Sequence, residues 1–176
     1  MLTDNGDTSY NVAPFSFFTG IGSDPALLVL SRRKKDETTV KDTRLNIRER
    51  DHFVVHIPST RHIDQVNQTS KTLAHGESEA DLAKLDLVDI EGFPLPRIAD
   101  CSVAFACRRY RIDELDEMEQ VLIYGEILSV LLDDEIVQST DNNRTYIDPL
   151  KLDPLARLGG SNYSSVGEIL SAERPK

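Results

Sequence analysis

The chain has 176 residues, of which 39% are hydrophobic and 28% charged, and this composition is ordinary for a soluble globular protein with one genuine core. Its formal net charge of −10 excludes general binding of nucleic acid, because an acidic surface repels a phosphate backbone. No apolar run approaches the ~20 residues that cross a bilayer, and the first residues lack the pattern of a secretory signal, so a cytoplasmic protein is expected.

Strand patterns outnumber helix patterns in the first third of the chain. The aromatic-rich segment Tyr10–Ile21 predicts an edge strand or a bulged strand, because Pro14 lies inside it and has no N–H to donate to a sheet. The short apolar runs Leu27–Leu30 and His52–Ile57 predict two further strands.

Three short helices are predicted among and after these strands. Asp42 fits the N-cap of a helix over Thr43–Arg50, and a second helix is expected over Ile63–Ser70. The run Ser78-Glu-Ala-Asp81 fits a capping box and predicts the start of a third helix.

The only two cysteines, Cys101 and Cys107, lie in one apolar run that predicts a strand. Six strand steps separate them by about 20 Å, whereas a disulfide needs Cα atoms within roughly 7 Å. They are therefore expected to be buried thiols that do not pair with each other within that strand.

The longest predicted strand is Val121–Leu132, and it is apolar on both faces. Such a strand must be covered twice, once by a barrel interior and once by a helix or a partner subunit. This pattern favours a barrel that assembles as a homodimer.

The last part of the chain has little periodicity. Residues Ser139–Arg144 are polar and predict a loop, and the tail beyond Asp153 is expected to be irregular. Gly159-Gly160-Ser161 is permissive enough to let the tail wrap around a ligand or a partner. We therefore expect a single domain over residues 1–176, with residues 150–176 as a wrapping C-terminal tail.

Standard catalytic signatures are absent from the sequence, which has no phosphate-binding P-loop, dinucleotide fingerprint, GxSxG elbow or HExxH motif. His52 and His56 would share one strand face, but without a third ligand nearby a packing role is favoured over a metal site. Residues 32–50 contain eight basic and four acidic residues, a local charge of +4 in an acidic protein. A solvated basic face explains this charge, and the more specific alternative is a pocket for a small phosphorylated ligand.

Two segments support a pocket for a small phosphorylated ligand. In Asn11–Phe18, polar side chains and a proline interrupt an apolar strand, which leaves donors and acceptors for a planar heteroaromatic ring. In Lys41–Asn46, a lysine precedes a helix start and Thr43 lies in its first turn, a combination typical of phosphate binding. Together they indicate a ligand with a ring at one end and a phosphate at the other.

These segments and others in the same order resemble the flavin reductase-like family of FMN-binding split barrels. The matching residues are Asn11-Val-Ala-Pro-Phe-Ser-Phe-Phe18, Ser23-Asp-Pro25, the strand ending at Ser31, Lys41-Asp-Thr43 with Asn46-Ile47, Phe53–Ile57, Val66–Ser70, Pro96–Asp100, Gly125-Glu-Ile127, and Leu155–Gly160 with Tyr163. The resemblance implies a mainly β, Greek-key split β-barrel with a few short helices, homodimeric, with FMN held noncovalently near the dimer interface.

The resemblance also assigns the ligand contacts by position. Asn11, Ala13 and Ser16 are expected at the isoalloxazine and ribityl region. The residues expected toward the ribityl and phosphate end are Ser31, Arg32, Lys41, Asp42 and Thr43, and Tyr163 is expected to close the site. The implied reaction is hydride transfer from NADH or NADPH to FMN, with electrons passing to a partner monooxygenase, another acceptor or oxygen and no side chain needed as acid or base.

The sequence departs from the family pattern at two places. Many such reductases carry a histidine in the nicotinamide region where this chain has Gln120. Almost nothing precedes the turn at Asp4-Asn5-Gly6, so the first family strand is expected to be missing and the strand from Tyr10 to lack a neighbour.

Two alternatives to a flavin reductase follow from these departures. Gln120 favours an FMN-binding carrier or sensor without intrinsic reductase activity. A missing first strand favours a structural dimer that has lost its flavin.

Overall fold

The fold was analysed in a computed structural model, which describes residues 1–33, 42–71, 73–74, 77–115, 120–142, 144–173 and 175. These residues form a mainly β structure with a few short helices, as the sequence predicted. The strands are β1 Leu2–Asp4, β2 Tyr10–Val12, β3 Phe17–Ser23, β4 Ala26–Arg33, β5 His52–His56, β6 Leu87–Val88, β7 Arg97–Ile98, β8 Val103–Leu115, β9 Gln120–Leu132, β10 Val137–Asp141, β11 Arg144–Ile147, β12 Ala156–Gly159 and β13 Asn162–Ser164. The α-helices are α1 Asp42–Arg50, α2 Ile63–Gln68, α3 Glu79–Leu82 and α4 Pro149–Leu152. Within the described ranges, no helix has both the length and the apolar character to cross a bilayer.

The main sheet has seven strands in the order β2-β1-β5-β8-β9-β4-β3. All its neighbouring strands pair antiparallel. The two long strands β8 and β9 form its centre, and β9 is shared with β4 on its other side. β2 and β3 therefore lie at opposite edges of the sheet, although residues 13–16 alone separate them in sequence.

The barrel interior is a cluster of large apolar side chains from both halves of the sheet. It comprises Met1, Leu28, Leu30, Ile47, Phe53, Val55, Cys107, Val121 and Ile123. Ile47 comes from α1 and is fully buried, so this helix packs onto the barrel despite its many charged residues. The cluster fixes α1, and with it the first turn at Thr43, against the strands.

A second apolar cluster covers the opposite face of β1, β5 and β8. It comprises Leu2, Val12, Val54, Ala80, Ile90, Leu95, Ile98, Cys101, Ala104 and Ala106. Strand β5 contributes to both clusters because alternate side chains point to opposite faces, Val54 to one and Phe53 and Val55 to the other. The cover over this face is α3 and the segment that leads through β6 and β7.

Strand β9 is covered twice only along its first half. Val121, Ile123 and Gly125 are buried and alternate with half-buried neighbours, but Leu128 and Val130 are 47% and 51% exposed. Edge strand β3 is exposed at all seven of its residues. Among the described residues of the single chain, nothing covers this apolar surface on β3 and β9.

A short strand, β1, precedes the turn at Asp4-Asn5-Gly6. β1 pairs with β2 through Leu2↔Val12, Thr3↔Asn11 and Asp4↔Tyr10, and on its other side with β5 through Leu2↔Val54. The expectation that the strand from Tyr10 has no neighbour is therefore wrong, because three residues are enough to form the first arm of the hairpin. The alternative of a structural dimer that has lost its flavin was based on that missing neighbour, so it loses its support.

Three other local predictions were wrong. Tyr10–Ile21 is not one strand but β2 and β3, because the chain leaves the sheet around Pro14. Ser139–Asp141 lie in β10 and Arg144 begins β11, two strands that pair antiparallel, although these residues are polar and exposed. The tail beyond Asp153 contains the β12–β13 hairpin, whose turn uses Gly159 and Gly160 at φ 107° and 55°.

Other local predictions are confirmed. Helix α1 spans Asp42–Arg50, and the Ser78 side chain accepts a hydrogen bond from the backbone N–H of Asp81 at the start of α3. Both cysteines are buried and free, with Cys107 in β8 and Cys101 just before it.

Candidate functional site

A cavity of about 330 Å³ opens where the 13–16 segment passes between the sheet edges. Residues 12–16, 55–58 and 155–157 line it, together with α2 side chains Gln65 and Val66 and, just beyond α2, Thr69. Phe18, Leu30 and Ile98 add apolar surface, and Tyr163 lies at its wall. A mainly apolar cavity with a few polar groups is the usual form of a cofactor site.

The tail reaches this cavity because it is fixed to the loop after β5. The backbone N–H of Leu155 donates to the carbonyl of Pro58 at 2.8 Å, and that of Thr60 donates to the carbonyl of Asp153 at 3.0 Å. The β12–β13 hairpin then places the Arg157 guanidinium 5.2 Å from the centre of the Tyr163 ring. Arg157 also donates to the Gly160 carbonyl at 2.6 Å, which holds it across the hairpin.

The structure brings the two segments singled out in the sequence into contact. The Asn11 side-chain amide donates to the Thr43 hydroxyl at 2.8 Å and to the Thr3 hydroxyl at 3.1 Å. Asn46 donates to the same Thr3 hydroxyl at 3.1 Å and to the Asn5 side-chain oxygen at 2.9 Å. This buried polar network ties the first turn of α1 to the β1–β2 hairpin, one residue from the start of the cavity wall at Val12.

We expect the Asn11→Ala substitution to lower the free energy of unfolding by about 1–3 kcal/mol, because the buried Thr43 and Thr3 hydroxyls each lose one donated hydrogen bond. Urea denaturation monitored by circular dichroism measures it. Asn67→Ala, at an exposed position of α2, is the control and should change stability by less than about 0.5 kcal/mol. Equal stability of the Asn11 and Asn67 variants would show that the network contributes nothing.

The remaining predicted site residues fall into three groups. Ala13, Ser16 and Tyr163 line the cavity. Ser31 pairs with Phe17 across β3 and β4, and its hydroxyl donates to the Gln120 side-chain oxygen at 3.2 Å, while its neighbour Leu30 faces the cavity. Arg32 lies in β4 opposite Val121, Asp42 begins α1, and Lys41 lies outside the described residues.

Two histidines line the cavity, and sequence reasoning assigned neither to it. The His62 ring accepts at Nδ1 from the backbone N–H of Ser59, 2.9 Å away, so its proton lies on Nε2, which donates to Asp100 at 3.0 Å. At His56, Nε2 accepts from the backbone N–H of Ile98 at 2.9 Å. Burial holds the pKa of His56 well below its usual value, so this ring is neutral at physiological pH.

The thiol of Cys101 also lines the cavity. Burial raises the pKa of Cys101 to about 11, and it raises that of Cys107, in the barrel interior, to about 12. Both thiols are therefore protonated at neutral pH, and since the thiolate is the nucleophilic form, neither is suited to covalent catalysis.

Most of the missed cavity residues carry no local signal. His56 lies in an ordinary strand pattern. His62 lies just before α2 and Gln65 lies within it, and this short helix has no motif of its own. The one signal available was the family resemblance, which covered Val66–Ser70 and Leu155–Gly160 without assigning a role to either segment.

Comparison with known proteins identifies the family. The model of the family described as flavin reductase like domain matches residues 1–149. The chain belongs to this family. The uncharacterized protein YwrF of Bacillus subtilis is 32% identical over 169 residues, which cover 94% of this chain and 80% of that protein.

Solved structures agree with this assignment. Nitrilotriacetate monooxygenase component B from Bacillus cereus is 27% identical and superimposes with a TM-score of 0.85, over 97% of this chain and 84% of that one. A putative flavin reductase with a split barrel domain from Shewanella frigidimarina is 19% identical and has a TM-score of 0.83, over 99% and 83% of the two chains. The second likeness shows the fold alone, and it confirms the predicted split barrel.

Proposed function

We propose that this protein binds FMN noncovalently and acts as an NAD(P)H-dependent flavin reductase. The observation that carries the proposal is the 2.8 Å hydrogen bond between Asn11 and Thr43. It places the segment suited to a flavin ring beside the helix start suited to a phosphate, as one ligand with both groups requires. Bound FMN supplies the redox chemistry, accepting a hydride from the nicotinamide and passing its electrons to an acceptor.

In this proposal the protein binds and orients the flavin. Ala13 and Ser16 form the wall against the ring system, and Tyr163 closes the site from the tail. At the other end, the first backbone N–H groups of the nine-residue helix α1 and the positive end of its dipole favour the phosphate. Ser31, Arg32, Lys41, Asp42 and Thr43 are the residues we assign to that end.

The side chains of Asn11 and Thr43 serve mainly to hold the ring-binding segment and the start of α1 in a fixed position relative to each other. The Asn11 amide nitrogen and the Thr43 hydroxyl are hydrogen-bonded within the buried network, and the two residues are 3% and 1% exposed. No side chain is required to move a proton, and the protonated Cys101 thiol lines the cavity without a chemical role.

We further propose that the active form is a homodimer whose second subunit covers β3 and β9. β3 exposes Phe17 and Ile21 at 69% and 48%, and as a sheet edge it also has backbone groups on one side that no described strand of the chain pairs with. A surface of this kind is typical of a subunit interface. The likeness to a monooxygenase component supports a monooxygenase as the electron acceptor.

An FMN carrier or sensor without reductase activity is the second candidate. It is favoured by Gln120, which stands where many such reductases have a histidine and is engaged by the Ser31 hydroxyl. A glutamine held in this way has no ring to place beside a nicotinamide.

The test is a visible spectrum of the purified protein, followed by anaerobic addition of NADH or NADPH. We expect saturable FMN binding and bleaching of the flavin absorbance by a nicotinamide. Bleaching by dithionite but not by either nicotinamide selects the carrier. Absence of saturable FMN binding would overturn the proposed function.

Lys41→Ala tests the phosphate end. We expect the dissociation constant for FMN to rise about tenfold to a hundredfold, because one charge-assisted contact is lost. The dissociation constant for riboflavin, which has no phosphate, should not change. Lys151→Ala in α4 is the matched control, and an equal effect on FMN and riboflavin would contradict the assignment.

A further inference from the structure

His56 has a buried ring nitrogen to which no other described residue is hydrogen-bonded. The residue ends strand β5, is 8% exposed and lines the cavity together with Ile98, to which it is hydrogen-bonded. Its Nδ1 atom is shielded from solvent and has no hydrogen-bond partner among the described residues.

The hydrogen bond from Ile98 determines where the ring proton lies. A backbone N–H donates to Nε2 at 2.9 Å, so Nε2 must offer its lone pair. Because the ring is neutral, its one proton is on Nδ1, which is therefore a donor.

His62, in the same cavity wall, shows what a fully satisfied histidine looks like here. Its Nδ1 accepts from Ser59 and its Nε2 donates to Asp100, so both nitrogens are used. A buried donor without an acceptor costs free energy, and such groups in a folded protein call for a partner from outside the chain.

We propose that His56 is a specificity-determining residue of the cofactor site, whose Nδ1–H donates a hydrogen bond to an acceptor atom of the isoalloxazine ring. This assignment rests on the proposed function, because it takes the flavin as the occupant of the cavity. Because Nδ1 is shielded in this structure, the proposed hydrogen bond requires the imidazole to tilt toward the ligand, and the hydrogen bond from Ile98 tolerates a small tilt. The resulting hydrogen bond excludes water. It therefore discriminates strongly against a ring without an acceptor at that position, because the buried donor would be left without a partner.

The two nitrogens can be tested separately with two amides. His56→Gln places an oxygen near the Nε2 position, where it accepts from Ile98, but leaves no donor at the Nδ1 position. His56→Asn places an amide near the Nδ1 position and leaves the Ile98 N–H without an acceptor. His52→Gln, on the same strand but outside the cavity lining, is the control.

We expect His56→Gln to keep the melting temperature of the wild type while its dissociation constant for FMN rises about tenfold. His56→Asn should melt at a lower temperature and bind FMN within about threefold of the wild type. The midpoint potential of bound FMN should fall in the glutamine variant alone, because a donor to the ring stabilises its reduced, more electron-rich form.

An unchanged dissociation constant and potential in His56→Gln would overturn this assignment and leave the proposed function intact. Failure of the wild-type protein to bind FMN would overturn both. If His56→Asn does not fold, the comparison of His56→Gln with His52→Gln still decides, because both make the same substitution on β5 and only His56 lines the cavity.

Discussion

Gly125→Ala is expected to lower the free energy of unfolding by about 1–3 kcal/mol, a large effect for one methyl group. Gly125 lies in the middle of β9 and faces the barrel interior. A Cβ atom there would overlap Cζ of Phe53 and lie 3.3 Å from Cδ1 of Leu28. Both neighbours are almost fully buried, at 0% and 1% exposure, so neither can move outward to make room.

Chemical denaturation of single and double variants tests this close approach. Phe53→Leu alone should also destabilise, because it leaves space in the core. Combined with Gly125→Ala, it should cost less than the sum of the two changes, since the new methyl fills part of the space the ring vacated.

Gly167→Ala is the control for the glycine substitution itself. A Cβ at Gly167 meets nothing within 4 Å, so stability should stay within about 0.5 kcal/mol of the wild type. Strict additivity of the Phe53 and Gly125 changes would contradict the proposed contact.

Phe17→Glu is expected to convert the proposed dimer to monomers, raising the dissociation constant of the dimer roughly a hundredfold or more. The Phe17 ring is 69% exposed in the single chain, on an edge strand with no residue buried. A carboxylate buried at the same place in both subunits would be desolvated without a partner. Sedimentation velocity over a range of protein concentrations measures the change.

The cofactor should be affected by the same substitution. Phe18, the next residue, lines the cavity, so loss of the cover on β3 loosens that wall and weakens FMN binding. Leu150→Glu in α4 is the matched control, because Leu150 is similarly exposed, at 60%, but lies outside the main sheet. If both variants stay dimeric, or if the wild-type protein is a monomer, the proposed interface is wrong.

Local pattern predicted the type of most elements correctly. The strands around Leu27–Leu30, His52–Ile57 and Val121–Leu132 and the helix from Asp42 were predicted because period, capping and proline interruption act within a few residues. The same reasoning missed the polar β10–β11 hairpin and the tail hairpin, since strands that bury little leave no hydrophobic alternation to read.

The sequence by itself determined the family, the mainly β class and the buried unpaired cysteines, and it indicated the two segments that we propose for a ring and a phosphate. Only the tertiary structure decided that Asn11 meets Thr43, 32 residues away, and that Ser31 engages Gln120, 89 residues away. It also placed His56 in the cavity wall, with its Nδ1 atom lacking a hydrogen-bond partner among the described residues. The physical reason is that periodicity and capping depend on residues a few positions apart, whereas hydrogen-bond partners and cavities depend on how distant strands are brought together.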